Sequence, residues 1–282
     1  MKQKFKSISG VTLLEMLIGI VISAIMMAAL YTSYSAVNTS YSQVSDRETI
    51  SRTGRDIIGM IQRDIRMAGY FDVNSVKVAD KQMYPLRIEV TKNFTGAKRK
   101  CDSVLIVYGD TVYNKGATPE YTYPIYKIIY HCKASKVPNR KAKKNAAGTF
   151  PAKDVLGIYK QKVSWDRDTK SWKDPNTDND KNTHDFELVL DHVEDLIFVP
   201  IDENGIQIVP APSTTQNQSR INDIRSVEIL LMLRSSDDFF KTKKERNNIS
   251  LVNTVRNKKN TDKYLREAIV ATAHTRNIGI SK

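Results

Sequence analysis

The hydrophobic positions of the chain follow two patterns that meet near residue 70. Residues 11–30 are apolar almost without interruption, and about twenty such residues are enough for a helix to span a bilayer. Apolar residues then recur at helical spacing at Val37, Tyr41, Val44, Ile57, Ile58, Ile61 and Ile65. This amphipathic pattern is typical of a helix that lies on a domain, and Gly69 suits the left-handed position that ends it. The spacing predicts one helix over residues 12–68, in which Gly54 and Gly59 are weak points where it could bend.

Beyond residue 70 the chain contains short runs of β-branched and aromatic residues separated by turn residues. Such runs are typical of β-strands, and they lie at residues 86–91, 103–108, 123–130, 155–165, 186–190, 196–201, 226–234 and 268–275. The sequence Asp202-Glu203-Asn204-Gly205 is a natural hairpin connection. Residues 166–185 are rich in Asp, Asn and Lys and are predicted to form a long loop. The pattern predicts an α+β fold with a long N-terminal helix packed on an antiparallel β-sheet.

One charged side chain interrupts the apolar segment. Glu15 lies near its start, and no further charge appears before Asp46. A carboxylate near membrane depth costs on the order of 2–3 kcal/mol, so it is rarely retained without a partner. Ahead of it lies a short leader with three lysines that ends at Gly10. A secretory signal is cut after its apolar segment, whereas cleavage after Gly10 would keep the hydrophobic helix in the mature chain.

This N-terminal arrangement closely resembles the prepilin signal of type IV pilins and type II secretion pseudopilins. The matching residues are Gly10, Val11, Thr12, Leu13, Leu14 and Glu15. The resemblance implies that a prepilin peptidase cuts between Gly10 and Val11 and methylates the new N-terminus on Val11. The family usually starts its mature chain with Phe, so Val11 is a departure from it. The alternative is a plain signal anchor with an accidental Glu.

The resemblance also gives Glu15 and Thr12 a role in assembly docking. Cleavage creates a positively charged α-amine on Val11, one helical turn before Glu15, and a helix N-terminus favours an anion within its first turn. In the family, the carboxylate is thought to pair with the N-terminal amine of a neighbouring subunit. Because an unpaired buried charge is costly, this pairing would make the helix register specific.

The head resembles the PilW/PilJ group of large minor pilins, which is related to the J-type pseudopilin of type II secretion. The matching segments are residues 63–70, 101–108, 192–196, 224–235 and 271–277. The resemblance implies a pilin-like α+β architecture. Its parts are a cleaved leader at 1–10, a transmembrane stem helix at 11–34, an amphipathic spine helix at 35–69 and a β-rich periplasmic or extracellular head at 70–282.

The function implied by the resemblance is structural: a minor pilin that primes type IV pilus assembly or forms part of a tip-like minor pilin complex. The alternatives are a J-type pseudopilin of a type II secretion system and a pilin that binds DNA or a surface. The expected partners are other minor pilins and the major pilin through the N-terminal helix, the prepilin peptidase, the inner membrane and a pilus tip adhesin. The lysines of the leader place the N-terminus in the cytoplasm. The chain would then cross the inner membrane once, with a periplasmic head, before it enters the fibre.

Two cysteines, Cys101 and Cys132, lie in the part that would be exported. In an oxidising compartment a disulfide between them is plausible. The alternative is two unpaired thiols in neighbouring strands, because the sequence does not show whether their Cα atoms come close enough.

The net charge of +13 is concentrated in apparent loops. Such fields attract polyanions, and Lys141, Lys143 and Lys144 are candidate contacts with nucleic acid or another polyanion. These lysines lack the interleaved aromatic residues that single-strand stacking platforms use, so solvated loops are the alternative.

The sequence contains no catalytic constellation of the HExxH, G-x-S-x-G or GxxxxGK[ST] type, so neither an enzymatic activity nor a cofactor is expected. One segment has oxygen ligands at the spacing of a calcium loop, at Asp174, Asn176, Asp178, Asp180 and Asp185. Asn179 stands where an EF-hand loop has Gly, Asp185 replaces the bidentate Glu, and no helices flank the segment. A polar loop without a metal explains the same composition.

Overall fold

The computed structural model describes residues 10–71, 83–90, 101–138, 143–240, 242–247 and 259–278. The chain divides into two compact units, Met1–Glu48 and Thr49–Lys282. The boundary falls inside the predicted amphipathic spine, so the second half of that segment belongs with the β-rich residues.

The first unit contains the N-terminal part of helix α1, which runs over Leu13–Met67. The predicted helix over 12–68 is confirmed to within one residue at each end. Large apolar side chains of this part are exposed, among them Leu13 at 82% and Leu30 at 68%. Within the described residues, α1 is the helix that is long and apolar enough to cross a membrane. Exposed apolar side chains over about twenty residues suit contact with lipid or with other helices.

The second unit contains the rest of α1 and, within the described residues, twelve strands. In chain order they are β1 Leu86–Glu89, β2 Ser103–Gly109, β3 Val112–Tyr113, β4 Tyr121–Thr122, β5 Ile125–Pro138, β6 Ala152–Asp166, β7 Ser171–Trp172, β8 His184–Ile201, β9 Ser226–Arg234, β10 Lys244–Asn247, β11 Lys259–Asp262 and β12 Arg266–His274.

The main sheet is antiparallel and has the strand order β1-β2-β5-β6-β8-β9-β12, with β7 paired to the end of β6. The pairs β3–β4 and β10–β11 are separate hairpins. Cys101, just before β2, also forms an isolated parallel bridge with Leu196 of β8. Because β5 and β6 lie between β2 and β8 in the sheet, this bridge shows that the sheet curls back on itself at that end.

The core of the second unit lies between α1 and the curled sheet. Ile57, Ile61 and Ile65 form the buried stripe of the helix, and they belong to one hydrophobic cluster with strand residues such as Ile128 and Ile229. Each fully buried side chain of this size contributes about 1.5–3 kcal/mol relative to exposure. A Cβ at Gly54 would collide with the side-chain ends of Ile269 and Leu233, so the absent side chain allows close packing of α1 on β9 and β12.

The end of α1 follows the predicted signal. Gly69 has a φ of +74°, in the left-handed region that favours glycine. Its N–H donates to the carbonyl of Val107 at 2.9 Å. The amide of Asn277 donates to the carbonyl of Arg66 at 3.2 Å. The helix end is thus tied to β2 and to the residues after β12.

The short strands β3, β4, β10 and β11 were not predicted, and β5 continues to Pro138, past the predicted end at residue 130. Two further differences concern β7 and β8. The strands expected at 186–190 and 196–201 are one strand, β8, because the polar residues between them occupy positions where the register against β6 and β9 shifts. The loop expected at 166–185 contains β7, and its last two residues begin β8. In β7, Trp172 pairs with Trp165 of β6. Periodicity missed the continuity of β8 because bulges break the alternation of apolar and polar residues. It missed β7 because a strand of two residues is too short to show a period.

Candidate functional site

Thr12 and Glu15 form a capping box at the start of α1. Thr12 immediately precedes the first helical residue, Leu13. The backbone N–H and the hydroxyl of Thr12 donate to Oε2 of Glu15 at 2.8 and 3.0 Å. The backbone N–H of Glu15 lies 3.2 Å from Oγ1 of Thr12 and donates to it. This reciprocal arrangement satisfies two otherwise unpaired donors of a helix N-terminus.

The capping box changes the interpretation of Glu15. One oxygen of the carboxylate is held by Thr12, so the charge is partly satisfied within its own chain. The other oxygen, Oε1, receives no hydrogen bond from the residues that the structure describes. An N-cap interaction is worth about 1 kcal/mol in water. The box therefore orients Glu15 and leaves one oxygen for a donor from outside the chain.

The predicted cleavage position lies just ahead of this box. Gly10 and Val11 are outside α1 and are exposed, Val11 at 74%. Apart from its chain neighbours, no described residue lies within 4 Å of the position that a Cβ on Gly10 would take. The peptide bond between Gly10 and Val11 is therefore accessible from the side of Gly10. The rest of the leader, residues 1–9, lies outside the described residues.

Cys101 and Cys132 form a disulfide with a Cα–Cα distance of 5.9 Å. Cys101 lies just before β2, and Cys132 lies on the neighbouring strand β5. Both residues are buried. The covalent link fixes the start of β2 at the end of the sheet where Cys101 also bridges to β8.

The residues of the predicted calcium loop do not converge on a common point. Each aspartate accepts a hydrogen bond from the protein: Asp174 from Asn176, Asp178 from Ser164, Asp180 from Tyr126 and Asp185 from Gln161. Within the described residues, no group of three or more His, Cys, Asp or Glu side chains is placed to hold a metal ion. The hydrogen bonds of Asp178, Asp180 and Asp185 come from β5 and β6 and attach this polar segment to the sheet.

The predicted polyanion contacts are only partly described. Lys141 lies outside the described residues, whereas Lys143 and Lys144 are exposed. The Nζ of Lys144 lies 5.3 Å from the centroid of the Phe150 ring. The structure thus places one aromatic ring beside these lysines, and the polyanion contact stays a prediction.

Two clusters of buried charge were missed by the interpretation of the sequence. In the first, Oδ2 of Asp64 on α1 accepts hydrogen bonds from the Tyr130 hydroxyl at 2.5 Å and from Lys160 Nζ at 2.8 Å. Burial, and secondly the Asp64 charge, raise the pKa of Tyr130 above its usual range. The sequence does contain a signal for this cluster: helical spacing places Asp64 on the same face of the helix as Ile57 and Ile61, which faces the core.

The second cluster joins β8, β9 and β12. Arg234 and Arg266 are direct cross-strand partners, and like charges in that position repel. Glu194 lies 3.5 Å from a guanidinium nitrogen of each arginine, and its side chain is 1% exposed. It sits where the register between β8 and β9 shifts. The bulge therefore places one buried carboxylate between two arginines.

A comparison with known families decides what the N-terminal features mean. Residues 5–31 match the model of the prokaryotic N-terminal methylation motif. The chain is type IV pilin-like. The match contains residues 5–10 of the leader, the predicted cleavage position and the capping box of Thr12 and Glu15. The motif implies that this pilin-like protein is processed by a prepilin peptidase and has pilin assembly partners. With its apolar helix, it indicates a membrane-anchored prepilin that later enters a pilus.

The other two comparisons do not add to the functional assignment. A type IV-like pilin from Thermus thermophilus is similar in structure with a TM-score of 0.44 and 8% sequence identity, over 81% of this chain and 97% of that chain. That score is too low to assign a function to any residue. No curated protein matches the chain significantly. Pilins are structural, non-enzymatic proteins, and this pilin-like chain has the corresponding architecture of a long N-terminal helix and an antiparallel sheet.

Proposed function

We propose that this pilin-like chain is a structural minor pilin that primes type IV pilus assembly or forms part of a tip-like complex of minor pilins. The observation that carries the proposal is the capping box, in which Thr12 holds one oxygen of Glu15 and the other oxygen has no donor among the described residues. The box lies in the segment that matches the methylation motif. Resemblance of the head to large minor pilins supports the finer assignment.

Cleavage between Gly10 and Val11 would supply the missing donor. It creates an α-amine on Val11, and this amine on a neighbouring subunit would pair with Oε1 of Glu15. In hydrocarbon an unpaired carboxylate is unfavourable in free energy, and this ion pair would compensate its charge. Because the pair forms only when the two helices are in one register, that register would be favoured. Glu15 would thereby select the register, while the exposed apolar side chains of the stem supply the packing area.

The proposed layout follows from this scheme. Residues 1–10 would be the cytoplasmic leader, 11–34 the membrane stem, 35–69 the spine and 70–282 the head on the far side of the inner membrane. The three lysines of the leader favour this orientation. The exposed apolar side chains of the first unit would be covered by lipid before assembly and by other pilin helices afterwards.

Two single substitutions separate the charge of Glu15 from its capping role. Glu15→Gln keeps a capping-box residue and removes the charge, whereas Thr12→Ala keeps the charge and removes the hydroxyl. Each variant is expressed in cells that assemble the fibre, and its amount in sheared fibres is compared with its amount in membranes. We expect the Glu15→Gln protein to insert in the membrane and to be cleaved. Its incorporation into fibres should be about tenfold lower, because it lacks one ion pair within the membrane. Thr12→Ala should retain more incorporation. Normal incorporation of Glu15→Gln would contradict the docking role.

Mass spectrometry of the mature N-terminus tests the processing step. The expected product starts at Val11 and carries a methyl group on its α-amine. An intact leader on the protein recovered from fibres would show that the proposal is wrong. Recovery of the processed chain from a type II secretion pseudopilus, and not from a pilus, would assign it to the J-type pseudopilins.

A further inference from the structure

A cavity of about 680 Å³ opens at one end of the main sheet, where two short segments face each other. One wall is residues 119–124, which include β4. The other wall is residues 165–168 at the end of β6, together with Lys173. This volume lies within the range of about 300–1,000 Å³ that is usual for small-molecule sites. All of these residues belong to the second unit.

Aromatic rings on both walls are held by other rings. Tyr121 is 52% exposed, and its ring centroid lies 5.1 Å from that of Tyr113 on the paired strand β3. Trp165 is half-buried, and Trp172 packs against it edge-to-face at a centroid distance of 5.0 Å. Ring pairs of this geometry are favourable beyond their buried area. The cavity therefore presents aromatic surface whose position is set by its neighbours.

Some polar groups of the cavity form hydrogen bonds within the protein, and two exposed carboxylates are available to a ligand. The guanidinium of Arg167 donates to the carbonyl of Tyr123 at 2.6 Å and ties the two walls together. Asp166 accepts the backbone N–H of Asp168 at 2.9 Å. The side chains of Glu120 and Asp168 are exposed, and their carboxylates have no hydrogen bond or ion pair with the residues that the structure describes. These two carboxylates are available to a ligand.

We propose that this cavity binds a neutral saccharide. Ionised carboxylates only accept hydrogen bonds, so the ligand must supply donors, and sugar hydroxyls do so. The C–H faces of a pyranose ring can pack on the exposed ring of Tyr121, as on other aromatic surfaces. The cavity lining has three acidic and two basic residues, although the whole chain carries +13. This local excess of negative charge disfavours phosphate, sulfate and polyanions. The proposal concerns the head and is independent of the assembly role.

Intrinsic fluorescence reports directly on this cavity. The chain has two tryptophans, and they are Trp165, which lines the cavity, and Trp172, which supports it. The full-length mature protein is placed in lipid nanodiscs, because sugar-headed detergents would compete. It is titrated with cellohexaose, maltohexaose, mannohexaose and chitohexaose. We expect a saturable change in tryptophan emission with at least one of these neutral oligosaccharides.

Two variants test the aromatic and polar contacts separately. Tyr121→Ala is expected to weaken the binding about tenfold, and Asp168→Asn about fivefold. The matched controls are Tyr70→Ala and Asp238→Asn, which change exposed residues of the same types outside the cavity. Circular dichroism shows whether each variant is folded, and Asp168→Asn remains informative if Tyr121→Ala is not.

Three results would overturn the proposal. They are the absence of a saturable change with all four oligosaccharides, unchanged binding by both Tyr121→Ala and Asp168→Asn, and tighter binding of duplex DNA or an acidic oligosaccharide at the same cavity. The last result would assign the cavity to polyanions. None of them would affect the assembly proposal, which is tested by fibre incorporation of Glu15→Gln.

Discussion

The carboxylate of Asp64 lies 2.8 Å from the Nζ of Lys160, although the two residues are 96 positions apart in the chain. Their side chains are 9% and 14% exposed, so the ion pair is almost buried. The hydroxyl of Tyr130 donates to the same oxygen of Asp64. Since Asp64 is on α1 and its partners are on β6 and β5, this cluster fixes the C-terminal part of α1 on the sheet.

Removal of one member of this pair should be strongly destabilising. Asp64→Ala leaves the Lys160 ammonium buried without its counter-charge, and we expect a loss of about 3–5 kcal/mol in the free energy of unfolding. The measurement is chemical denaturation of the full chain followed by circular dichroism. Asp56→Ala, at an exposed position of α1, is the control. The triple variant Asp64→Leu, Lys160→Met and Tyr130→Phe removes the ion pair together with the hydroxyl that donates to Asp64, and it should recover most of the loss. Failure to recover it would mean that the buried polar cluster is not the cause.

Glu194 should be essential to the junction of β8, β9 and β12. Glu194→Gln removes the charge that separates Arg234 from Arg266, while the size of the side chain stays the same. We expect a loss of about 1–3 kcal/mol, because the two buried guanidinium groups then face each other across paired strands, while Arg266 keeps its ion pair with Asp262. Thermal unfolding of the full chain measures it. Glu187→Gln, which changes an exposed residue of the same strand, should have little effect. Equal stability of the two variants would contradict the role given to Glu194.

The disulfide should contribute substantially to the stability of the head. Cys101 and Cys132 are 31 positions apart, and closing a loop of that length contributes about 3–4 kcal/mol in the chain-entropy model. The double variant Cys101→Ala with Cys132→Ala should therefore unfold at a lower denaturant concentration. A reducing agent should shift the wild-type midpoint in the same direction and leave the double variant unchanged. A wild-type midpoint that is insensitive to complete reduction would show that the link adds no stability.

Lys127 should make stability depend on pH in the mildly alkaline range. Burial, and secondly the charge of Arg87, lower the pKa of Lys127 from 10.5 to about 8. Above that pH the folded chain has released a proton that the unfolded chain still holds, so the contribution of Lys127 to stability rises with pH up to about 10. Unfolding of wild-type and Lys127→Met proteins is compared between pH 7 and 9.5. The difference between the two proteins in the free energy of unfolding should shrink as the pH rises.

The tryptophans give a second readout of this titration. The Nζ of Lys127 lies 4.6 Å from the centroid of the Trp172 ring, so loss of its charge should change tryptophan emission near the pKa. Lys127→Met should abolish the change, and Lys133→Met, at an exposed position of the same strand, should keep it. A change that persists in Lys127→Met would belong to another group.

Local patterns predicted the local features of the fold. The helix was placed to within one residue, and its end at Gly69 was correct, because both depend on residues within one or two turns. The capping box was also readable as Thr-x-x-Glu. The charge of Glu15 favours a partner in another chain, so the sequence prediction did not include the partner three residues away.

The sheet was less predictable where its regularity is interrupted. β8 was divided into two strands because His192 and Glu194 break its apolar pattern, yet these residues lie at register shifts inside one strand. His192 also has a φ of +56°, which is unusual for a residue with a side chain. A bulge of this kind is set by the strands on both sides, and the sequence of β8 alone does not contain that information.

The sequence by itself determined the apolar stem, the processing motif, the amphipathic helix and most strands, since each of these depends on neighbouring residues and on a fixed period. Only the tertiary structure decided which charged groups pair and where aromatic rings from separate segments meet. Asp64 pairs with Lys160 across 96 positions, and Tyr121 of the separate β3–β4 hairpin lines the same cavity as Trp165 of β6. Such contacts depend on how distant strands are placed in space, and no local period encodes that placement.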